Sequence, residues 1–368
     1  MAGTTGWKVC FKKGATWGTA VAAGAGDLIK LISESLPPGI PATIKDDNVG
    51  DSLSGGNYQG NIEEHEGAIV MAPRLEGFER HLALLMGADT VVINQAGIVF
   101  EHDMRFQPSN NGLFGTLAFD KGIGALGTNV HEYPSFKYSQ LELGHEGGKL
   151  QGTLTGLFNR CERNAPVNGA AQFGAITIPK DGLIALFSAL TVRATEVTGA
   201  EGNLDGADDL KVSDCRVSIN RNIAGDVVSG SNGEIDEPDT NGMPTADVTL
   251  TFPQYTAAVD ALIKAASIPQ TGRRQKLYKA QLIWTGPTIP TSAPPLPYLM
   301  RFDFPAMTIM NAPTNAPSPG SKVPVEITFS VTTPEAGRLP NGTDWSWVTA
   351  GGAPFRAYMF NGNSVDQA

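Results

Sequence analysis

Apolar residues along the chain fall mostly in short runs of about six to ten, separated by Gly, Pro, Asn and Asp. That punctuation predicts many strands and turns, a β-rich or all-β fold. Two amphipathic helices interrupt it. Residues 66–87 (EGAIVMAPRLEGFERHLALLMG) read as a strand, then Pro73, then a helix with Leu75, Phe78, Leu82, Leu85 and Met86 on one stripe and Gly87 as its stop. Residues 246–267 (ADVTLTFPQYTAAVDALIKAAS) repeat that order, with Tyr255, Ala258, Val259, Leu262, Ile263 and Ala266 on one stripe. Pro73 falls on Pro253 at an offset of 180, which also sets Leu82 on Leu262. Each stripe, at about 1.5–3 kcal/mol per large buried side chain, is expected to lie on a sheet.

The order continues downstream. Residues 131–159 and 297–331 each read as strand, loop, strand, with alternation over Lys137–Leu143 and Val325–Val331. Upstream, DLIKLISESL at 27–36 answers DLKVSDCRVSIN at 209–220. Two copies of one module are therefore expected, over residues 1–178 and 179–335, with 336–368 as a C-terminal arm. Each module carries a long polar loop, 44–66 and 225–246. Long loops without structure of their own tend to be functional. The arm holds Trp345, Trp347, Phe355, Tyr358 and Phe360 among Gly and polar residues, and reads as a segment that docks on a neighbouring subunit.

Composition narrows the function. The formal charge is −10, and the basic residues are scattered apart from Lys12–Lys13 and Arg273–Arg274, which excludes a nucleic-acid grip. Three cysteines, Cys10, Cys161 and Cys215, read as reduced thiols, and no apolar N-terminal segment or membrane span is apparent. Candidate chemistry fails on context. Gly122-Ile-Gly124-Ala-Leu-Gly127 has dinucleotide-fingerprint spacing but runs into TNVHEYP, which will not open the helix that motif needs. The five histidines lack zinc spacing, Asn203–Asp209 lacks the ligand order of a calcium loop, and no serine or cysteine sits in a nucleophile motif. No enzyme, cofactor or metal site is expected.

Trp17-Gly18-Thr19, the strand ending Ser33-Glu34-Ser35-Leu36, the acidic pair Asp46-Asp47 and the helix end Leu84-Leu85-Met86-Gly87 together resemble the tail tube proteins of long, non-contractile phage tails. Val217-Ser218-Ile219-Asn220, Pro238 and Val325–Val331 extend the resemblance through the second half. It implies a β-sandwich flanked by a helix, whose inner strands join those of neighbours into one continuous barrel, with rings stacking into a tube. A duplicated chain would close such a ring with three copies, giving pseudo-six-fold symmetry. The implied partners are the chain itself, the tape measure protein, and the tail terminator and distal tail proteins, with genomic DNA passing through the lumen without specific binding. The implied location is the virion tail, assembled in the host bacterial cytoplasm. Asp46, Asp47, Tyr58, Glu63, Glu64, Glu237, Trp345, Trp347, Phe355 and Tyr358 are the residues expected at assembly contacts. On this reading, deleting 336–368 would leave rings or monomers but no long tubes. A carbohydrate-binding β-sandwich, displayed on a virion or secreted, is the alternative.

Overall fold

A computed structural model describes residues 7–46, 56–95, 97–178, 183–231, 233–267, 275–312 and 324–362. The first half contains β1 (Lys8–Lys13), β2 (Leu28–Ile29), β3 (Leu31–Glu34), β4 (Pro41–Asp46), β5 (Gly56–Ile62), β6 (Glu66–Met71), α1 (Glu79–Met86), β7 (Thr90–Gln95), β8 (Val99–Arg105), β9 (Gly115–Asp120), β10 (Val130–Glu146), β11 (Lys149–Phe158) and α2 (Ala170–Ala175). The second half contains β12 (Leu190–Glu196), β13 (Asp209–Leu210), β14 (Asp214–Asn220), β15 (Ile223–Ala224), β16 (Asp239–Thr240), β17 (Thr245–Phe252), α3 (Ala257–Ser267), β18 (Tyr278–Thr288), β19 (Pro297–Asn311), β20 (Val325–Val331) and β21 (Arg356–Asn361).

The protein is mainly β, as its turn-rich composition predicts, and every ladder between these strands is antiparallel. In the first half the strand order is β3–β6–β11–β10–β9–β1, with β2 on the outer edge of β1. In the second it is β14–β17–β20–β19–β18–β12, with β13 beside β12. The two orders match strand for strand, and each half adds a separate hairpin, β4–β5 and β15–β16. The halves meet where β14 pairs with the far end of β10, Gln140 opposite Asn220 and Leu143 opposite Val217. Among the described residues no barrel closes within one chain. The ladders form an open, branched sheet, in whose eight-strand run β3–β6–β11–β10–β14–β17–β20–β19 no described strand pairs with the outer side of β3 or with residues 308–311 of β19 on the side away from β20.

That run is two-faced because its strands alternate with period two. Leu150, Leu154 and Phe158 of β11, Val217 and Ile219 of β14, Val248 and Leu250 of β17, and Ile327 and Phe329 of β20 all turn into one continuous core. Strand parity also corrects the repeat offset. An offset of 180 places buried Ile69 on half-buried Thr249, whereas the buried faces coincide when Ile69 is set on Val248, one residue away.

The first helix is shorter than its pattern predicts. Residues 75–78 form a turn, with Gly77 at φ +91, and α1 starts only at Glu79. Its stripe is nonetheless core, with Leu75, Phe78, Leu82, Leu85 and Met86 all buried. Gly87 ends it in the left-handed conformation, its N–H bonding Ala83 O at 2.9 Å. In α3, Val259 is buried and Leu262 and Ile263 pack against the core; the side chains of Ala258 and Ala266 lie outside the described set.

The C-terminal arm departs most from expectation. It docks within its own chain. Residues 356–361 form β21, which pairs with β19 (Leu299 opposite Phe360) on one side and with β8 (Arg356 opposite Arg105) on the other, stitching the second half to the first. Buried on both faces, β21 shows no alternation, so its sequence RAYMFN reads like a loop. Phe355 stacks on Phe106 at 4.8 Å and lies 5.8 Å from Phe304. Removing residues 336–368 would therefore open the core, and lost tubes would report misfolding and not a lost intersubunit contact. Phe355→Ala is expected to destabilise the isolated chain by about 3–5 kcal/mol, measured as a shift in the urea midpoint; a change below about 1 kcal/mol would contradict a buried role.

Candidate functional site

Two features are candidates for function: the polar face of the eight-strand run and the joint between the halves. Opposite the core, the run exposes Gln151, Thr153 and Thr155 of β11, Glu142 of β10, Arg216 and Ser218 of β14, Asp247 and Thr249 of β17, and Glu326, Thr328 and Ser330 of β20. Much of it lines a shallow trough bounded by Glu142, Gln151, Arg216 and Asp247. Hydroxyls dominate, and Thr249 and Thr328 bond across strands at 3.1 Å. Three carboxylates against one guanidinium, among the residues just named, leave this face acidic.

The joint is built from buried cations. Arg221, directly after β14, sends its N–H to Ser139 O at 2.8 Å and its guanidinium to Leu85 O and Gln107 O, the latter at 2.7 Å, while stacking 4.4 Å over Phe106. Leu85 O belongs to the last turn of α1, where the helix dipole favours a cation. A second-half arginine thus caps the first-half helix. Burial pulls its pKa down to about 10, so it remains charged at neutral pH. Lys137, fully buried on β10, reaches Glu237 Oε1 at 2.7 Å, Pro238 O at 2.6 Å and Asn111 Oδ1 at 3.2 Å. Burial lowers its pKa, and hydrogen bonding and charge from Glu237 oppose that shift. Arg160 pairs with Glu234 at 2.9 Å, and Trp17 donates to Ile235 O at 3.0 Å. The polar segment 225–246 is therefore strapped onto the first half of its own chain, and the Trp17-Gly18-Thr19 motif is part of the strap.

The expected assembly residues divide. Tyr58, Glu63 and Glu64 are exposed on and beside the β4–β5 hairpin. Asp46 ends β4, while Asp47, like Arg273–Arg274, lies outside the described residues. Glu237 serves the internal strap just described. Trp345 is buried beneath Lys279, 5.5 Å from its ring, and Trp347 lies 4.8 Å from the Arg356 guanidinium. Tyr358 packs between Arg301 at 4.7 Å and Arg356 at 5.0 Å. These aromatic groups, with Phe355, are engaged within the chain because β21 completes its sheet. The key cations Lys137, Arg221 and Lys279 escape sequence reasoning, since a lysine or arginine beside apolar residues reads as solvated. Only the position of Lys137 inside the apolar run Phe136–Tyr138 hints at burial.

The glycine motif at 122–127 is a turn, as its context predicts. Asp120 accepts the N–H groups of Gly122 and Gly127, at 3.1 and 2.9 Å, filling the place a phosphate would need. Among the described residues no His/Cys/Asp/Glu cluster has metal-binding geometry, and no helix is long and apolar enough to cross a membrane.

A family model described as phage tail tube protein matches residues 8–333. The chain belongs to the phage tail tube protein family. No curated protein matches it. As a tail tube protein it is a structural component of a virion. The matched range begins at β1 and closes just past β20, so β21, which completes the sheet, falls outside it.

One measurement probes the joint and a second the first-half core beneath α1. Glu237→Ala leaves the Lys137 ammonium buried with weaker acceptors and is expected to cost about 2 kcal/mol; Lys137→Met in the same background should recover much of that loss in urea melts. His81, buried in α1, bonds Tyr138 Oη at 2.6 Å, and burial holds its imidazole well below the usual histidine value. The unfolded chain takes up a proton near pH 6.5 that the folded chain refuses, so stability falls as pH drops below about 6.5, by up to about 1.4 kcal/mol per unit from this group. His81→Gln should show a shallower loss between pH 7.5 and 5; equal slopes would refute the assignment.

Proposed function

We propose that this tail tube protein forms trimeric rings that stack into the tube of a long, non-contractile (siphovirus-type) phage tail, and that the tube conducts DNA at ejection. One observation carries the reading: the eight-strand run has one apolar face on its own core, one acidic, hydroxyl-rich face, and two free edges. Joining edges between copies removes the liability of exposed backbone donors and acceptors. Three copies give 24 strands, enough for an aqueous channel. The matching halves, taken as modules 1–178 and 179–335, would give that ring pseudo-six-fold symmetry.

In this arrangement the polar face lines the lumen. Its carboxylates repel phosphate, and its short hydroxyl side chains offer DNA no basic grip. The ring works by shape and charge, without catalysis or cofactor. The tape measure protein would occupy the lumen before ejection, terminator and distal tail proteins would meet the tube ends, and assembly would take place in the host cytoplasm. The carbohydrate-binding alternative has no support: Trp284 and Trp345 are buried, which leaves them unavailable as sugar platforms. Electron microscopy of the concentrated, untagged protein should show rings or tubes with an open channel and three copies per ring. Six copies per ring would overturn the trimer, and particles that remain monomeric at every concentration would count against the tube.

A further inference from the structure

The strap across the first half brings three groups together in a way that an ion pair alone does not require. Lys137 Nζ, its side chain wholly buried, donates to Glu237 Oε1 at 2.7 Å and to Asn111 Oδ1 at 3.2 Å. Glu237 Oε1 also accepts the N–H of Gly112 at 2.6 Å, which ties the carboxylate to the residue after Asn111. The Asn111 side chain is held in turn by a hydrogen bond to Asp239. An amine, a carboxamide and a carboxylate are thus in contact, drawn from β10, from the connection between β8 and β9, and from the second half.

A lysine attacks a carboxamide only if its amine is neutral, close to the amide carbon and served by a group that moves protons. In water these conditions do not coincide. Here they do. Burial lowers the Lys137 pKa, with Glu237 opposing the shift, so the neutral amine is easier to reach than on a solvated lysine. The Asn111 amide carbon lies one C=O bond, about 1.2 Å, from the oxygen that Nζ already touches. That brings it near the roughly 3–3.5 Å of an attack geometry, and the fold holds both reactants there. Asp239 fixes the amide from its far side, and Glu237 stands within hydrogen-bond reach of the proton to be moved.

We propose that Lys137 and Asn111 join through an isopeptide bond, formed by the chain itself with Glu237 as proton carrier. Glu237 takes one proton from the Nζ ammonium. Rotation about Cε–Nζ turns the freed lone pair to Cγ of Asn111. The Nζ–Cγ bond forms, Cγ–Nδ2 breaks, and Glu237 returns its proton to the departing nitrogen. Nζ keeps one hydrogen, the other two leave with Nδ2 as an ammonium ion, and no co-reactant is needed. The bond would join positions 26 residues apart and staple the β8–β9 connection onto β10. That connection also carries Gln107, whose carbonyl accepts from Arg221 at 2.7 Å. Because the proton carrier belongs to the second half, the bond forms only after the halves have docked, and it then fixes their joint. The stability changes given above for Glu237→Ala and Lys137→Met describe the unjoined chain.

Intact-mass spectrometry of the purified, untagged chain tests the bond, and tryptic mapping places it. The expected mass lies below that of the sequence by about 17 Da, one ammonia. Trypsin does not cut after an acylated lysine, so a branched peptide should join residues 106–121 to residues 122–149. Glu237→Gln keeps the shape of the side chain without the base, and should yield at least about tenfold less of that peptide. The unmodified chain decides the matter even if this variant fails to fold. Folded protein that stays at its full sequence mass through long incubation at mildly alkaline pH would overturn the proposal. So would a loss of ammonia confined to linear peptide 106–121, since Asn111 followed by Gly112 can close a succinimide with the same mass change. A branched peptide at undiminished yield in folded Glu237→Gln would overturn the role given to the carboxylate.

Discussion

A β-strand at the edge of a sheet carries backbone donors and acceptors that must find partners, and the architecture of this chain follows from how that demand is met. Inside the chain, β14 meets it by lying on the vacated side of β10, and β21 meets it by filling the gap between β19 and β8. Both additions turn two similar sheets into one object. Among the described residues the two ends of the eight-strand run leave that demand standing, and pairing with copies of the chain, as in the proposed ring, would meet it.

The second constraint is electrostatic. The seam between halves is held by Arg221 on the α1 carbonyls and Lys137 on Glu237, both removed from water. Such groups contribute little net stability against apolar replacements, but leaving one of them without its partner is costly. They therefore act against misdocking: a half that arrived in the wrong register would strand a charge. Lys279 does the same for the arm, holding Gly202 O at 2.6 Å and Asn341 O at 3.0 Å beneath Trp345. The polar segments that looked like free loops are partly clamps, and what they clamp is the chain itself.

The opposite face follows another logic. Threonine and serine at alternate positions satisfy β-propensity while presenting short polar groups, and carboxylates outnumber the one nearby arginine. On the proposed lumen reading such a surface would suit passage of a polyanion, since carboxylates outnumber its one guanidinium.

Much was legible in the sequence. Turn residues between short apolar runs determined a β-rich fold, and the α1 stripe of Leu75, Phe78, Leu82, Leu85 and Met86 with its Gly87 stop determined a helix packed on a sheet, because periodicity and left-handed glycine are local properties. Motifs spread from Trp17 to Gly87 pointed to the tail tube family for the same reason. What the sequence could not determine lay in pairing over long separations. The aromatic residues of the arm look alike whether they dock on a neighbour or complete the core, and only the ladders of β21 with β19 and β8 decided between them. Lys137, Arg221 and Glu237 carry no local mark of partnership, since the Lys137–Glu237 pair spans 100 residues and Arg221 reaches carbonyls 114 and 136 residues away. Burial and ion pairing across such distances belong to the tertiary structure, and there alone could the joint between the halves be seen.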